Sequence, residues 1–425
     1  MELDPIGFTW LGLTSRRASA TGEEGGMLRG LQAEGLRADI RPSSLLKGYW
    51  EVERISLEKL HLHFGKTGKV VAPPAPGPTP SRMPAWIPSR TVIGVVHGAK
   101  TDILIELSAG RTFLLDGATL ECRPGEGESV VDLSGGTLTS PFYPDLVLTM
   151  GKARWVLSND KAELLGADLT SPKGGKIHLA GVFRNGEHPS EISGNWTGLP
   201  AEVLLPKFAN KVAGSFCGEA SSSWSDGHRE ARGVIRSDNL VLSGIPSFGK
   251  LAELSGLPGF RNLQVGRFES RFFMNDGTTR WEDILLESPG LLKCTGSAET
   301  TADGRLSGTF RFGITTQIVS MIPFSRELLG LEESEGYIWT RQPVTVGGTL
   351  SHPEENLTPR ITMLMAAGAT GVVRNGIREA LDLLGVHPGN RAEGQGTSTP
   401  PNPDPAAEVE KAAGRILDSA AGLLR

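Results

Sequence analysis

A short glycine-containing segment carries residue types that could hold a phosphate group. Residues 244–250, GIPSFGK, follow the apolar run NLVLS and match the GxxxxGK spacing of a phosphate-binding loop. Leu251 stands where a Ser or Thr hydroxyl would hold magnesium, and Pro246 lacks one of the N–H groups that cradle the phosphates. We therefore interpret this segment as a turn that opens a short helix.

Three motifs of penicillin-recognising enzymes are also present, but in the wrong order. They are SLLK at residues 44–47, KTG at 66–68 and SDN at 237–239. In those enzymes SxxK opens a buried helix, and KTG lies on a strand after SDN. Here KTG follows SxxK closely and stands beside a run of prolines, so we interpret the three matches as chance.

Histidines and acidic residues give weaker chemical signals. His61 and His63 share one face of the segment KLHLHF and could chelate a metal. No third ligand is near in sequence, so a solvated polar face is the preferred interpretation. Alternation predicts that Glu282 and Asp283 point to opposite faces of a strand, which argues against a glycosidase pair of carboxylates. We expect no catalytic residue, no metal and no cofactor.

Composition narrows the class of protein. The chain has 425 residues, 38% of them hydrophobic and 21% charged, enough for two or more domains or one extended architecture. Its 55 glycines exceed the usual share and favour many turns and short strands over long helices. The net charge of −5, without long Lys or Arg runs, gives no basic surface, so we expect no nucleic-acid partner.

Neither the cysteines nor the N-terminal residues identify the cellular compartment of the protein. Cys122, Cys217 and Cys294 are far apart without a CxxC pair, so neither a disulfide framework nor a zinc site is indicated. The apolar run at residues 6–13 is short, follows Asp4 and lacks a basic flank, unlike a signal peptide or a membrane span. We expect a cytosolic protein or one whose anchor lies upstream of this chain.

The clearest structural element is the segment GRLSGTFRFGI at residues 304–314. Leu306, Phe310, Phe312 and Ile314 alternate with polar residues, which is the period of two of a strand with one dry face. Full burial of one large apolar side chain is worth roughly 1.5–3 kcal/mol. Water is therefore an unfavourable environment for this face, and something apolar must cover it.

Similar strands fill much of the chain. From about residue 91 to 312, strand candidates are separated by turn signals such as NDG, SPG and ADG. RFESRFFM places Phe268 and Phe272 on one face, and LLKCTGSAE places Leu292 on another strand's apolar face. Successive hairpins of this kind predict an antiparallel meander. Internal helices are predicted only late, at about 317–329 and 361–384.

The composition shifts divide the chain into six segments. We predict a β segment with a short helix at 1–70, a Pro-rich linker or loop at 71–90, repeating antiparallel hairpins at 91–350, a C-terminal helix at 351–388, a flexible linker at 389–405 and an amphipathic terminal helix at 406–425.

Two arrangements would cover the dry face of so many strands. The sheet folds on itself as a sandwich or barrel, so that the apolar residues form a protein core. Alternatively, it curls into a groove whose dry face accepts something apolar from outside. Periodicity alone favours the first arrangement.

The sequence pattern of strands and turns resembles that of the AsmA-like family. The segments that carry the resemblance are residues 38–65, ADIRPSSLLKGYWEVERISLEKLHLHFG, residues 268–313, FESRFFMNDGTTRWEDILLESPGLLKCTGSAETTADGRLSGTFRFG, and residues 343–361, PVTVGGTLSHPEENLTPRI. These segments bracket most of residues 28–385 and are patterns of strand and turn rather than catalytic motifs.

The resemblance implies a mainly β fold, a long curved antiparallel meander that forms a hydrophobic groove, with short helices at its C-terminal end. It implies a non-enzymatic periplasmic protein, associated with the inner membrane through an anchor not present in this chain, that binds or conducts phospholipid acyl chains in outer-membrane biogenesis, in the manner of bridge-like lipid transfer proteins. The alternative is a closed-core structural or adhesive β-protein of the envelope. The expected groove lining is Phe268, Phe272, Leu292, Leu306, Phe310, Phe312 and Ile314.

Overall fold

The computed structural model describes residues 2–5, 7–9, 12–22, 28–65, 90–106, 112–140, 143–158, 160–184, 188–225, 228–322, 325, 329–350 and 352–369. The predicted linkers, apart from Arg90, and the predicted terminal helix lie outside these residues, as do positions 370–388 of the predicted C-terminal helix.

The protein is mainly β. Within the described residues, one large sheet contains 23 strands and a second sheet contains three. The large sheet contains β1 (Glu2–Leu3), β2 (Gly7–Thr9), β3 (Gly12–Thr21), β4 (Leu28–Ile40), β5 (Trp50–Phe64), β6 (Thr91–Glu106), β7 (Thr112–Pro124), β8 (Glu128–Ser134), β9 (Thr137–Ser140), β10 (Tyr143–Ser158), β11 (Lys161–Thr170), β12 (Lys176–Arg184), β13 (Ser190–Pro200), β15 (Ser215–Ser225), β16 (His228–Ser237), β19 (Arg267–Asn275), β20 (Thr278–Ser288), β21 (Leu292–Thr300), β22 (Leu306–Thr315), β23 (Leu329–Ser334), β24 (Tyr337–Thr340), β25 (Val344–Gly348) and β26 (Pro353–Glu355).

The remaining elements are short. The small sheet contains β14 (Val212–Ala213), β17 (Leu240–Ser243) and β18 (Asn262–Val265). The α-helices of the described residues are α1 (Ala201–Leu204), α2 (Pro246–Ser255), α3 (Thr316–Val319) and α4 (Leu357–Ala369), and 3-10 turns span Pro42–Lys47, Pro206–Phe208 and Pro258–Phe260.

Strands cross the large sheet nearly in chain order, and most neighbours pair in antiparallel fashion. The run from β10 to β13 and on through β15, β16 and β19 to β22 is continuous in this way. The NDG sequence makes the β19–β20 turn, where Asp276 has φ of 44° and Gly277 has φ of 88°. Two central residues with positive φ are typical of the type I′ turns that suit the twist of a hairpin. The predicted meander is confirmed over this region.

One pair of neighbours departs from the antiparallel pattern. β5 and β6 pair in parallel, with Trp50 opposite Thr91 and Phe64 opposite Ile105. Parallel neighbours need a long crossover rather than a tight turn. In the sequence, the proline-rich stretch lies between these two strands. Because β5 and β6 pair with each other, the strands before and after that stretch belong to one sheet.

β-Bulges interrupt the alternation on many strands. Register shifts fall between Gly98 and Thr101 on β6 and between Trp196 and Leu199 on β13. A bulge adds one residue to a strand and bends it, so residues three apart reach the same face. Buried pairs that flank such shifts are Leu115 and Ala118, Met150 and Ala153, and Leu164 and Ala167.

A cross-strand row of mainly small side chains runs through the first half of the sheet. Ala18 lies opposite Ala33, Ala33 opposite Leu60, Leu60 opposite Thr101, and Thr101 opposite Ala118. Thr101 and Ala118 are both 0% exposed. Small side chains suit this buried row, because interiors are close-packed.

This half of the sheet buries a continuous set of apolar side chains, which we call the N-terminal cluster. It contains Ala18, Ala33, Leu57, Leu60, Leu115, Ala118, Leu120, Val131, Leu133, Leu148, Met150, Ala153, Leu164, Ala167 and Leu169. These residues come from strands between β3 and β11, so neighbouring strands of one sheet supply a packed core.

A second packed region, called the C-terminal core here, joins α2, α4 and the small sheet. Its most buried residues include Phe248, Leu251, Phe260, Leu263 and Ile361. α2 packs against α4. Pro246 at its first turn and Gly256 after its end, with φ of 70°, are the usual start and stop residues of a helix. The GIPSFGK segment therefore lies where a turn enters a short helix, as interpreted from the sequence.

The helix predicted at 317–329 is matched in part. α3 covers Thr316–Val319, Ser325 is helical, and β23 begins at Leu329, which lies opposite Thr340 of β24. Positions 323, 324 and 326–328 of this prediction lie outside the described residues. The next predicted helix, at 361–384, begins earlier than expected, since α4 starts at Leu357.

Candidate functional site

The predicted lining residues share one side of the large sheet. They are Phe268 and Phe272 on β19, Leu292 on β21, and Leu306, Phe310, Phe312 and Ile314 on β22. Cross-strand pairing fixes their face: Phe268 lies opposite Leu286, Leu286 opposite Cys294, and Cys294 opposite Phe312. We call this the apolar face and the opposite side the polar face.

One end of the apolar face meets aromatic rings from elsewhere in the chain. The ring of Phe312 lies 6.2 Å from that of Phe248 on α2, at 79°. Phe268 makes a similar edge contact with Phe216, at 5.9 Å. Such T-shaped contacts are favourable for aromatic pairs. We call Phe216, Phe268, Leu286, Cys294 and Phe312 the closing row.

Two of the predicted lining residues lie past this row. Leu292 is 1% exposed and lies opposite Ile314, which is 2% exposed. Both side chains therefore belong to a packed protein core, which is the alternative that the sequence left open. They are not available to a ligand in this structure.

The apolar face continues from the closing row toward the hairpin turns, and its side chains there are half-buried, as Phe268, Leu286 and Phe312 are. We call the apolar-face residues of β15–β22 between the closing row and the hairpin turns the open stretch. Its large apolar side chains are all partly exposed, and they are Ile235, Phe272, Met274, Trp281, Ile284, Leu306 and Phe310. Sequence reasoning missed Ile235, Trp281 and Ile284. β20 carries a bulge between Trp281 and Ile284, which hides their common face from a strict alternation.

Aromatic rings lie over glycines on the neighbouring strand. A Cβ atom added to each of three glycines would stand no more than 2.7 Å from a ring carbon of its cross-strand partner. The three pairs are Trp196 with Gly218, Phe272 with Gly233, and Phe310 with Gly296. Each ring fills the space that a side chain would take, so the sheet presents ring surfaces in place of gaps. The alternation ISGNWTG in the sequence could have identified Trp196.

The polar face carries cross-strand ion pairs. Arg236 contacts Glu269 at 3.0 Å, and this hydrogen bond, followed by that of Arg267, lowers the pKa of the Glu269 carboxyl. His178 lies 2.8 Å from Asp168. Exposed ion pairs of this kind contribute little to stability.

A shallow depression of about 470 Å³ also lies on the polar face, lined by residues of β12, β13, β15, β16 and β19.

The two acidic residues of β20 do not point to opposite faces. Asp283 has φ of 49° and pairs with Arg271, and Glu282 lies within 4.0 Å of Arg280. Both arginines belong to the polar face, so the predicted opposition is wrong. The bulge is the physical reason, because its extra residue turns Asp283 to the side that Glu282 already occupies.

The other chemical candidates have structural partners. His61 lies 3.1 Å from Asp102, and His63 lies 3.0 Å from Glu106. Ser44 of the SLLK motif is buried, donates to the carbonyl of Arg41 at 2.7 Å and accepts from the Glu51 N–H. Among the described residues, no group of three or more His, Cys, Asp or Glu side chains is arranged to hold a metal ion.

The three cysteines are free thiols in different surroundings. Cys294, in the closing row, is buried, and burial raises the pKa of its thiol to about 12. Burial also raises the pKa of Cys122, which is only partly covered. Cys217 lies on the polar face and is partly exposed.

Comparisons with family models, with curated proteins and with solved structures give no match for this chain. Within the part of the chain that the structure describes, no helix has the length and apolar character needed to cross a bilayer.

Proposed function

We propose that this protein binds phospholipid acyl chains on the open stretch of its apolar face and contributes, without catalysis, to outer-membrane biogenesis. The observation that carries the proposal is the open stretch itself, a continuous set of partly exposed large apolar side chains on neighbouring strands. Contiguous exposed apolar surface is typical of a binding site. The resemblance to AsmA-like proteins supports a lipid as the ligand and the periplasmic side of the inner membrane as its location.

The surface chemistry suits a flexible chain of methylene groups. The face offers ring surfaces over glycines, with few polar groups for a ligand to hydrogen-bond. Each methylene group that leaves water for such a surface contributes about 0.8 kcal/mol. Affinity then comes from contact area and not from directional bonds, which fits a ligand without polar groups along its length.

Neighbouring phenylalanines on β19 provide a test with a matched control. Phe272 belongs to the open stretch and packs against Trp281 at 5.5 Å, whereas Phe273 is 42% exposed on the polar face. We expect Phe272→Glu to lower affinity for a fluorescent fatty-acid analogue at least tenfold, because a carboxylate in an apolar site must lose its hydration. Phe273→Glu should leave the affinity unchanged. Titration by fluorescence measures both.

Lipid extracted from the purified protein and identified by mass spectrometry gives the second readout. Phospholipid should accompany the wild-type protein and Phe273→Glu but not Phe272→Glu, with all three equally folded by circular dichroism. Equal binding by the two variants would contradict a site on the apolar face. A folded wild-type protein that neither carries lipid nor binds the analogue would contradict lipid binding altogether.

A second candidate function is a structural or adhesive role in the envelope. The burial of the N-terminal cluster, and of Leu292 and Ile314, favours it, because those parts of the sheet are packed by the chain itself. This role requires no apolar ligand. It is the function that a ligand-free, fully folded protein would support.

A further inference from the structure

We infer that a bound acyl chain lies lengthwise along the strands, with its terminal methyl group against the closing row and its headgroup at the hairpin turns. This inference rests on the proposed function and concerns the direction and the length limit of the same site. It predicts that affinity rises with acyl-chain length only up to a limit. The site then holds a single tail along the strands, and tails do not pass from strand to strand across the sheet.

The closed end of this site is built from packed aromatic side chains. Phe312 is backed by Phe248, which is buried on α2, and Phe268 contacts the buried Phe216, which lies beside it in the same row. α2 is itself held by α4. A tail that advances along β22 therefore meets Phe312, which packs against a buried ring of α2, and a tail that advances along β19 meets Phe268 beside the buried Phe216.

The other end opens at the hairpin turns. The β19–β20 turn contains Asp276 and Gly277, and the β21–β22 turn contains Asp303, whose carboxylate accepts a hydrogen bond from Arg305 at 2.6 Å. Both turns are exposed to water, so a headgroup there keeps its hydration, whereas a terminal methyl group there would remain in water. The polarity of the two ends therefore sets one direction for a bound lipid.

The distance between the two ends matches one acyl chain. Six residues separate Leu306, beside the hairpin turn, from Phe312 in the closing row, and at about 3.3 Å per residue they span about 20 Å. The same count separates Met274 from Phe268 on β19. A bilayer core about 30 Å thick allows roughly 15 Å for the tail of each leaflet. A tail of ordinary length therefore fits lengthwise, and a much longer one reaches the closing row.

A chain-length series tests this arrangement. Saturated fatty acids of about 10 to about 20 carbons would compete with the fluorescent fatty-acid analogue for the purified full-length protein. We expect affinity to rise about fourfold for each added methylene group until the methyl group reaches the closing row, and then to stop rising. A steady rise through the whole series would overturn the lengthwise arrangement while leaving lipid binding intact. If no fatty acid competes and no lipid co-purifies, the proposed function itself fails.

Variants of Phe248 test whether its contact with Phe312 sets the chain-length limit. Phe248→Ala removes the ring behind Phe312, so affinity should stop rising only at a longer chain length. The milder Phe248→Leu should shift this length less. Leu60→Ala removes a buried side chain from the N-terminal cluster, far along the sheet, and should leave the limit unchanged. A wild-type limit that neither Phe248 variant shifts would show that the limit is set elsewhere and would overturn the inference.

Discussion

At the scale of single residues, adjacent positions on one strand have opposite environments. Phe272 covers Gly233 and contacts Trp281, while Phe273, next to it, lies opposite Arg232 on the polar face. The same side-chain type therefore contributes to apolar contact at one position and to an exposed surface at the other. This alternation allows one strand to supply both a site variant and its control.

Cys294 reports whether the closing row is packed in solution. Its buried thiol has a pKa of about 12, so it stays protonated at neutral and mildly alkaline pH, and only the thiolate reacts. We expect iodoacetamide to modify Cys217 first, Cys122 more slowly and Cys294 last. Raising the pH from about 7 to about 9 should speed the labelling of exposed thiols and leave Cys294 almost unmodified.

Peptide mapping by mass spectrometry measures the labelling of each cysteine. In denaturant the three thiols should react at similar rates, which controls for intrinsic differences between them. Labelling of Cys294 as fast as Cys217 in the folded protein would contradict a packed closing row.

At the scale of elements, bulges decide where sequence alternation succeeds. β21 and β22 pair without a register shift from Leu292 with Ile314 to Thr300 with Leu306, so the alternation placed every predicted residue of these strands on the correct face. β20 gains one residue between Trp281 and Ile284, and there the alternation misplaced Asp283 and missed two apolar residues. A bulge depends on pairing with both neighbours, which a single strand's sequence does not contain.

Substitutions of the two glycines between β8 and β9 test how closely this turn packs against β7. Gly135 and Gly136 both have positive φ, but a Cβ at Gly135 would meet nothing within 4 Å. A Cβ at Gly136 would stand 2.8 Å from the carbonyl oxygen of Asp116 and 2.9 Å from the amide nitrogen of Ala118. We expect Gly135→Ala to cost about 1–2 kcal/mol of unfolding free energy from left-handed strain alone.

Gly136→Ala should cost a further 1–3 kcal/mol, roughly, because the backbone of β7 has to move. Urea denaturation followed by circular dichroism measures both variants against the wild-type protein. Equal losses for the two variants would mean that β7 does not pass as close to this turn as the structure places it.

At the scale of the described sheet, apolar burial is uneven from strand to strand. The N-terminal cluster packs the strands from β3 to β11, and the C-terminal core covers the far end of β19–β22, while the open stretch lies between covered regions. The sequence predicted a mainly β protein and the face of its strands, because both follow from local alternation. It could not predict which part of the face is covered, because Phe248 and Phe312 meet only after the strands between them have paired.

This uneven burial predicts that the sheet does not unfold as one unit. In an array where each strand contacts mainly its neighbours, stability is a sum of local contributions. Leu60→Ala removes a side chain that is 3% exposed in the N-terminal cluster, a change that costs about 2–5 kcal/mol in a packed core. We expect amide hydrogen exchange to become faster in β4–β7 and to stay unchanged in β21 and β22. Leu263→Ala in the C-terminal core should give the reverse pattern, and faster exchange across the whole sheet in either variant would contradict separate stabilisation of the two regions.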